Sequence, residues 1–496
     1  MKIIVPASGV GKRFIDAGYK DTKPLIDVTP DKKIIDYVID IFDKENDEFF
    51  FITSETTFND IQEYIETLNI NFKHLLSTGP KLGPVGAVND VSKELSEYIS
   101  DDDQVIVSYC DYGMEWDYQA FLNYVNESGV DGAIPCYVGE HPHLEHIENV
   151  YAACKKYDNS DRVYEVKEKY HSKDRNNESW SAGLYYFKSF SLMNYAFTEI
   201  VKDQNTLNDE YYVSLAYNYI VNDYVVTSYD YITKFYQFGT PSDFEYAKEK
   251  INISNDLLNN ECSIDNIVIL SAGKGERFLN LNYSQPKPFM PLNDTDIITN
   301  ITDSFKNVQS NVVYVGSQEH EIYWNGYNVN LITPNKIGAA FSYKEGASNI
   351  KGEALIVPCD LIAKHVTDKF LELREDANMI IFTADPTEFA IHNKNSFAWV
   401  GGEDNVVTDI SIKERAQDNH MVLIGSFWVK HNEELLECID EIFENKFTVK
   451  GEYYLDNAFK HALQKGLKIK YIKLDNYLSF GTPSEYNENK YWFNGV

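Results

Sequence analysis

Paired cysteines are missing from this chain of 496 residues. Its six cysteines, Cys110, Cys136, Cys154, Cys262, Cys359 and Cys438, show no C-x-x-C spacing, so neither a disulfide framework nor a zinc site is signalled. Long apolar runs are missing as well. After Met1 only Ile3 to Val5 precede a proline, too little for a leader core or a spanning helix; the expectation is a buried strand in a cytoplasmic protein with no membrane partner. Positive charge is scarce: 45 Lys and Arg against 77 Asp and Glu leave a net charge of −32, which opposes nucleic acid as a partner. A small phosphorylated ligand then needs a local basic pocket, for which Lys12, Arg13, Lys23, Lys81 and Lys169 are candidates. What the chain does have is ample for folding, with 43% apolar and 14% aromatic residues, and its length predicts two or three domains.

The sequence repeats itself. "IIVPASGVGKRFIDAGYKDTKPLIDV" from Ile3 and "IVILSAGKGERFLNLNYSQPKPFMPL" from Ile267 share one order: apolar run, glycine pair, arginine, Lys-Pro. Gly9 and Gly273 lie 264 positions apart, as do Lys23 and Lys287. Further on, "VIVSYCD" pairs with "ALIVPCD", "VYEVKEK" with "DISIKER", and "SAGLYYFK" with "LIGSFWVK", followed by "EYYV" with "EYYL" and "FGTPSDF" with "FGTPSEY". The offset falls to 242 while the order holds, which predicts a tandem duplication with shorter loops in the second copy. The Asn-rich stretch near Asn260 divides the expected domains, 1–255 and 262–496. β-branched runs such as "EFFFITS" alternate with helical patterns such as "IIDYVIDIFDK". The fold class expected is therefore α/β, two Rossmann-like domains, each a mostly parallel sheet with helices on both faces.

Glycines at 9 and 11 let backbone N–H groups converge on an anion, and a helix start beyond them adds its dipole. Arg13 offers a planar fork for phosphate oxygens and Lys23 a point charge. The set recurs at Gly273, Gly275, Arg277 and Lys287. Asp111 and Asp360 each end an apolar strand; at the carboxyl edge of a sheet, facing a phosphate loop, a carboxylate suits Mg²⁺.

Together these residues resemble two sugar-1-phosphate nucleotidyltransferase (nucleotide-sugar pyrophosphorylase) domains in tandem. The first glycine loop is especially similar to the branch associated with capsule and surface-polysaccharide sugars. The resemblance implies that Gly9, Gly11, Arg13 and Lys23 bind a nucleoside triphosphate, and that Asp111 holds Mg²⁺. Glu168 and Lys169 would contact sugar and sugar phosphate, with Gly183 beside the sugar. Lys81 and Gly83, in "KLGPVGA", fall where the base is read. In the second half the same roles fall to Gly273, Gly275, Gly338, Arg277, Lys287, Asp360, Glu414, Arg415 and Gly425. The reaction implied is attack of a sugar-1-phosphate oxygen on the α-phosphorus of the triphosphate, releasing pyrophosphate.

Two departures stand out. Many relatives place a second metal-binding aspartate two residues before the late Gly-Thr, where this chain has Gln237 and Ser479. Arg415 stands in line with Lys169, and arginine does not simply replace lysine at a close phosphate contact, so the first half is the expected active one. His141, His143 and His146 read as a polar loop rather than a metal site, since nothing completes a tetrahedral set. A glycosyltransferase is disfavoured because neither aspartate opens a D-x-D. A second half that only binds nucleotide, and a non-sugar acceptor such as phosphocholine, remain as alternatives.

Overall fold

The computed structural model describes residues 1–80, 82–137, 152–170, 178–255, 257–281, 283–333, 337–415 and 417–493. The chain divides into two compact units, Met1–Ile251 and Asn252–Val496. No helix among the described residues is long and apolar enough to cross a membrane.

In the first unit the strand Lys2–Pro6 lies between Glu48–Ser54 and Val105–Ser108, parallel to both, and Glu48–Ser54 pairs in parallel with Asn71–Ser77. Period-two alternation sends Ile4 and Phe50 to one face and Ile3, Val5, Phe49 and Phe51 to the other, each face meeting its own core. The helix Gly83–Asp90 covers the first face through Val85 and Val88, and Ile34–Ile39 and Phe58–Ile65 cover the second. Beyond Val105–Ser108 the sheet turns antiparallel, through Leu184–Phe187 and Gly132–Tyr137 to an edge made by Glu178–Ser181, Ala153–Lys156 and Val163–Lys167.

The second unit has a parallel run of Val329–Ile332, Val308–Ser317, Cys262–Ser271 and Ala354–Pro358. Its remainder corrects the expectation of a mostly parallel sheet, because it is largely antiparallel and closes partly into a barrel. Met421–Val429 is long enough to pair with Met379–Ala384 and, at its start, with Ala398–Glu403. Asp404 and Asn405, both at positive φ, turn Ala398–Glu403 into Val406–Ile412, and Val406 reaches Lys470 of Ile469–Lys473, which pairs back on Met379–Ala384. The closure rests on short contacts, one residue pair at Val406 and two at Trp399 and Val400.

Candidate active site

Both glycine loops follow the first strand of their unit. Gly11 and Gly275 sit in the left-handed region at φ 64° and 63°, and each caps a short helix, Lys12–Asp16 or Glu276–Leu279. These helices are a single turn, and the second opens on Glu276. The dipole expected behind each loop is correspondingly slight, since a macrodipole needs several aligned peptides.

A small antiparallel ribbon builds the strand-end site. In the first unit Tyr112–Glu115 pairs with Lys234–Gln237, placing Gln237 opposite Tyr112, and Phe238 N donates to Asp111 O at 3.0 Å. In the second, Leu361–Ala363 pairs with Tyr477–Ser479 and Phe480 N donates to Asp360 O at 2.7 Å. Lys23 Nζ meets Asp111 Oδ2 at 2.7 Å and Gly239 O at 2.9 Å. Lys287 Nζ meets Asp360 Oδ2 at 2.6 Å. Burial works against the charge of Lys287, but Asp360 and Cys359 outweigh it and hold the ammonium above its ordinary value.

A pocket of about 390 Å³ in the first unit brings together Arg13, Asp111, Glu168, Lys169, Gly183 and Gln237. Burial pushes Glu168 up to about 7, against the opposing pull of a 2.5 Å hydrogen bond from Ser214 Oγ and of the Lys169 charge. Lys169 Nζ donates to Tyr212 Oη at 2.8 Å, and Tyr212 in turn donates to Glu210 at 2.9 Å. Tyr109 and Tyr185 pack at the wall beside Gly183. Gln237 Oε1 is buried with no hydrogen-bond partner. Gly9, Gly11 and Gly83 lie outside this lining. A Cβ on Gly83 would come 2.9 Å from Glu210 Cβ, so its lack of a side chain serves packing against "EYYV". Lys81 and the histidines 141, 143 and 146 lie outside the described residues.

The second unit has a pocket of about 550 Å³, whose wall includes Gly273, Gly275, Lys287, Gly338, Asp360 and Gly425. Arg277 is exposed beside it, its charge felt at Lys287. Glu414 and Arg415 are not brought to this pocket. Glu414 is exposed, while the Arg415 guanidinium stacks on Trp399 at 4.7 Å and donates to the carbonyls of Asp418 and His420. The matched spelling "KEK" and "KER" misplaces the register here. Sequence reading also missed Tyr212, Ser214, Tyr454 and Asp456, although the repeated "EYYV" and "EYYL" were the available signal.

Comparison with known proteins follows the same division. Residues 2–252 match the family described as Nucleotidyl transferase, and residues 267–438 match the MobA-like NTP transferase domain. The chain belongs to the nucleotidyl transferase family. The bifunctional protein GlmU of Methanocaldococcus jannaschii is 26% identical over 242 residues, covering 45% of this chain and 53% of that protein. The GlmU of Methanococcus aeolicus is 25% identical over 215 residues, covering 42% and 49%. The chain thus spans about half the length of the curated relatives it matches. Among solved structures, a nucleoside-diphosphate-sugar pyrophosphorylase from Vibrio cholerae is 19% identical, covering 50% of this chain and 99% of that one at a TM-score of 0.41. A UDP-glucose pyrophosphorylase complexed with UDP-glucose is 13% identical, covering 51% and 98% at 0.40.

Proposed function

We propose that the chain transfers a nucleoside monophosphate from a nucleoside triphosphate to a sugar-1-phosphate, releasing pyrophosphate, with two tandemly duplicated units of which the first performs this reaction. The observation that carries the reading is the first pocket, where Arg13, Asp111, Glu168, Lys169 and Gly183 meet although they are scattered along the sequence. The nucleophile and the leaving group both arrive charged, so the site needs positioning and charge neutralisation rather than a proton relay. In this reading Arg13 holds the departing β and γ phosphates, Lys23 the α-phosphate and Lys169 the attacking phosphate. Glu168, held by Ser214, reads a sugar hydroxyl.

The donor set suits Mg²⁺. Asp111 offers a carboxylate, and the unpartnered Gln237 Oε1 offers a neutral oxygen in the position of the usual second aspartate. Asp111 and Gln237 would hold the ion, which when bound neutralises phosphate charge. Surface-polysaccharide sugars are the substrates favoured by the likeness of the first glycine loop.

The test is pyrophosphate release by the full-length chain across a panel of nucleoside triphosphates crossed with sugar 1-phosphates and phosphocholine. Release with a sugar 1-phosphate is expected. Nucleotide binding without release for any acceptor overturns the reading.

A further inference from the structure

The carboxylate near the lysine that stacks on the Glu-Tyr-Tyr segment changes its place in the chain between the two units. In the first, Glu168 and Lys169 follow the strand Val163–Lys167, and Ser214, second residue of the helix Val213–Ala216, holds Glu168. In the second, the segment "EYYLD" puts Asp456 at the place of Ser214, as second residue of the helix Leu455–Gln464, and Asp456 lines the pocket.

The lysine can be traced by two marks, its backbone conformation and the tyrosine under it. Lys169 and Lys413 both stand just after their strand in the left-handed region, at φ 52° and 60°, a conformation that costs a non-glycine residue and persists where the surroundings impose it. Each ammonium sits over the ring of the second tyrosine of its Glu-Tyr-Tyr segment, Lys169 at 5.0 Å from Tyr212 and Lys413 at 5.2 Å from Tyr454. Each of those tyrosines donates its hydroxyl to the glutamate that opens the segment, Glu210 or Glu452. Counting back one residue, Ile412 stands at the place of Glu168, so the second unit has lost the strand-end carboxylate and gained one on the helix.

We propose that Lys413 and Asp456 are the pair with which the second unit grips its phosphorylated substrate, the ammonium taking the phosphate and the carboxyl a hydroxyl of the sugar. This rests on extending the sugar-phosphate reading of the first pocket to the second. Lys413 itself stands outside the lining of the second pocket, behind Tyr454, which does line it; its Nζ donates to Ser396 O at 2.8 Å, and Asp456, Glu452, Lys450 and Arg277 are the charges that act on it. Burial raises Asp456 to about 6 while Lys413 opposes that rise, as expected of a carboxyl enclosed next to an ammonium without direct pairing. Arg415, committed to Trp399, takes no part.

The experiment uses the full-length chain carrying Lys169→Met, so that pyrophosphate release from panels of nucleoside triphosphates and hexose 1-phosphates reports the second unit. Lys413→Met and Asp456→Ser should each raise KM for the hexose 1-phosphate by about tenfold or more, with KM for the triphosphate moving less than about twofold. Adding Ile412→Glu to Asp456→Ser recreates the first unit's arrangement and should recover part of the loss, a rescue that a purely structural aspartate would not give. Thermal melts accompany every variant, with Asp456→Asn replacing the serine variant if that one melts early. A loss that follows Arg415→Met instead of Lys413→Met, or unchanged KM in the Lys413 and Asp456 variants, overturns the pair and leaves the sugar-phosphate reading intact. If the Lys169→Met chain binds triphosphate but accepts no hexose 1-phosphate, that reading of the second pocket fails, and the pair with it.

Discussion

Lys23 and Asp111, 88 positions apart, meet at 2.7 Å, so the carboxylate proposed to hold a cation is already neutralised by the lysine proposed to hold a phosphate. Lys287 and Asp360 repeat the arrangement at 2.6 Å. A ligand set of cation and phosphate can replace this pair by engaging both partners at once, which links their binding. Asp111→Asn keeps the side chain's size, removes its charge, and should lower first-unit kcat/KM by roughly 10² or more. Added Mg²⁺ should tighten triphosphate binding in the parent and much less in this variant. Equal Mg²⁺ dependence in the two, read by calorimetry, would leave Asp111 as a partner of Lys23 alone.

In the proposed reading, Arg13→Ala and Lys23→Ala each remove a charge-assisted contact to phosphate worth roughly 1.5–3 kcal/mol. Expressed as kcat/KM for the triphosphate, the expected loss is about tenfold to a hundredfold. Steady-state kinetics with the best substrate pair decide this. Unaltered values would reduce the glycine loop to a structural turn.

Glu168 makes a stability prediction with a definite sign. Its folded pKa of about 7 lies above its ordinary 4.5, so the folded chain holds its proton more tightly than the unfolded one. Stability from this group is fully present below about pH 4.5 and is lost as pH rises through 7. Glu168→Gln, which cannot ionise, should match the parent near pH 4.5 and exceed it by up to about 3 kcal/mol at pH 8. Urea unfolding of the first unit's transition at the two pH values tests it. A constant difference across pH would refute the burial of an ionising group there.

Gly338 lies at φ 118°, and a Cβ on it would come 2.3 Å from Tyr453 O. Backbone bonds stitch the same place, Tyr453 N to Ile337 O and Ala340 N to Tyr453 O. Gly338→Ala should therefore destabilise the second unit by roughly 1–3 kcal/mol or more, visible as a lowered melting transition. Gly9 has open space where its Cβ would be, so Gly9→Ala should leave melting unchanged. If it weakens triphosphate binding all the same, the glycine serves the ligand's approach.

Much of this protein was legible in one dimension because period and spacing are local properties. The apolar run at Ile3 forms the central strand, "EFFFITS" forms Glu48–Ser54 over its full length, and Lys23, Asp111, Glu168, Lys169 and Gly183 gather about one site. The helix expected from "IIDYVIDIFDK" stops at Ile39, and the helices after the glycine loops are single turns, since tertiary packing overrides a local pattern.

By itself the sequence determined the two-copy order of motifs, the strands buried on both faces and the residue types gathered at each strand end. Only the tertiary structure decided which lysine of the second copy sits over Tyr454, because "KEK" and "KER" align by spelling while the backbone aligns Lys413 with Lys169 by their shared left-handed turn. The partial closure of the second sheet was likewise undecided, since strand partners are set by side-chain burial and register across distant segments. The exchange of Glu168 and Ser214 for Ile412 and Asp456 is invisible to either motif alone: a pocket constrains where a charge lies in space, and two separate stretches of chain can each supply it.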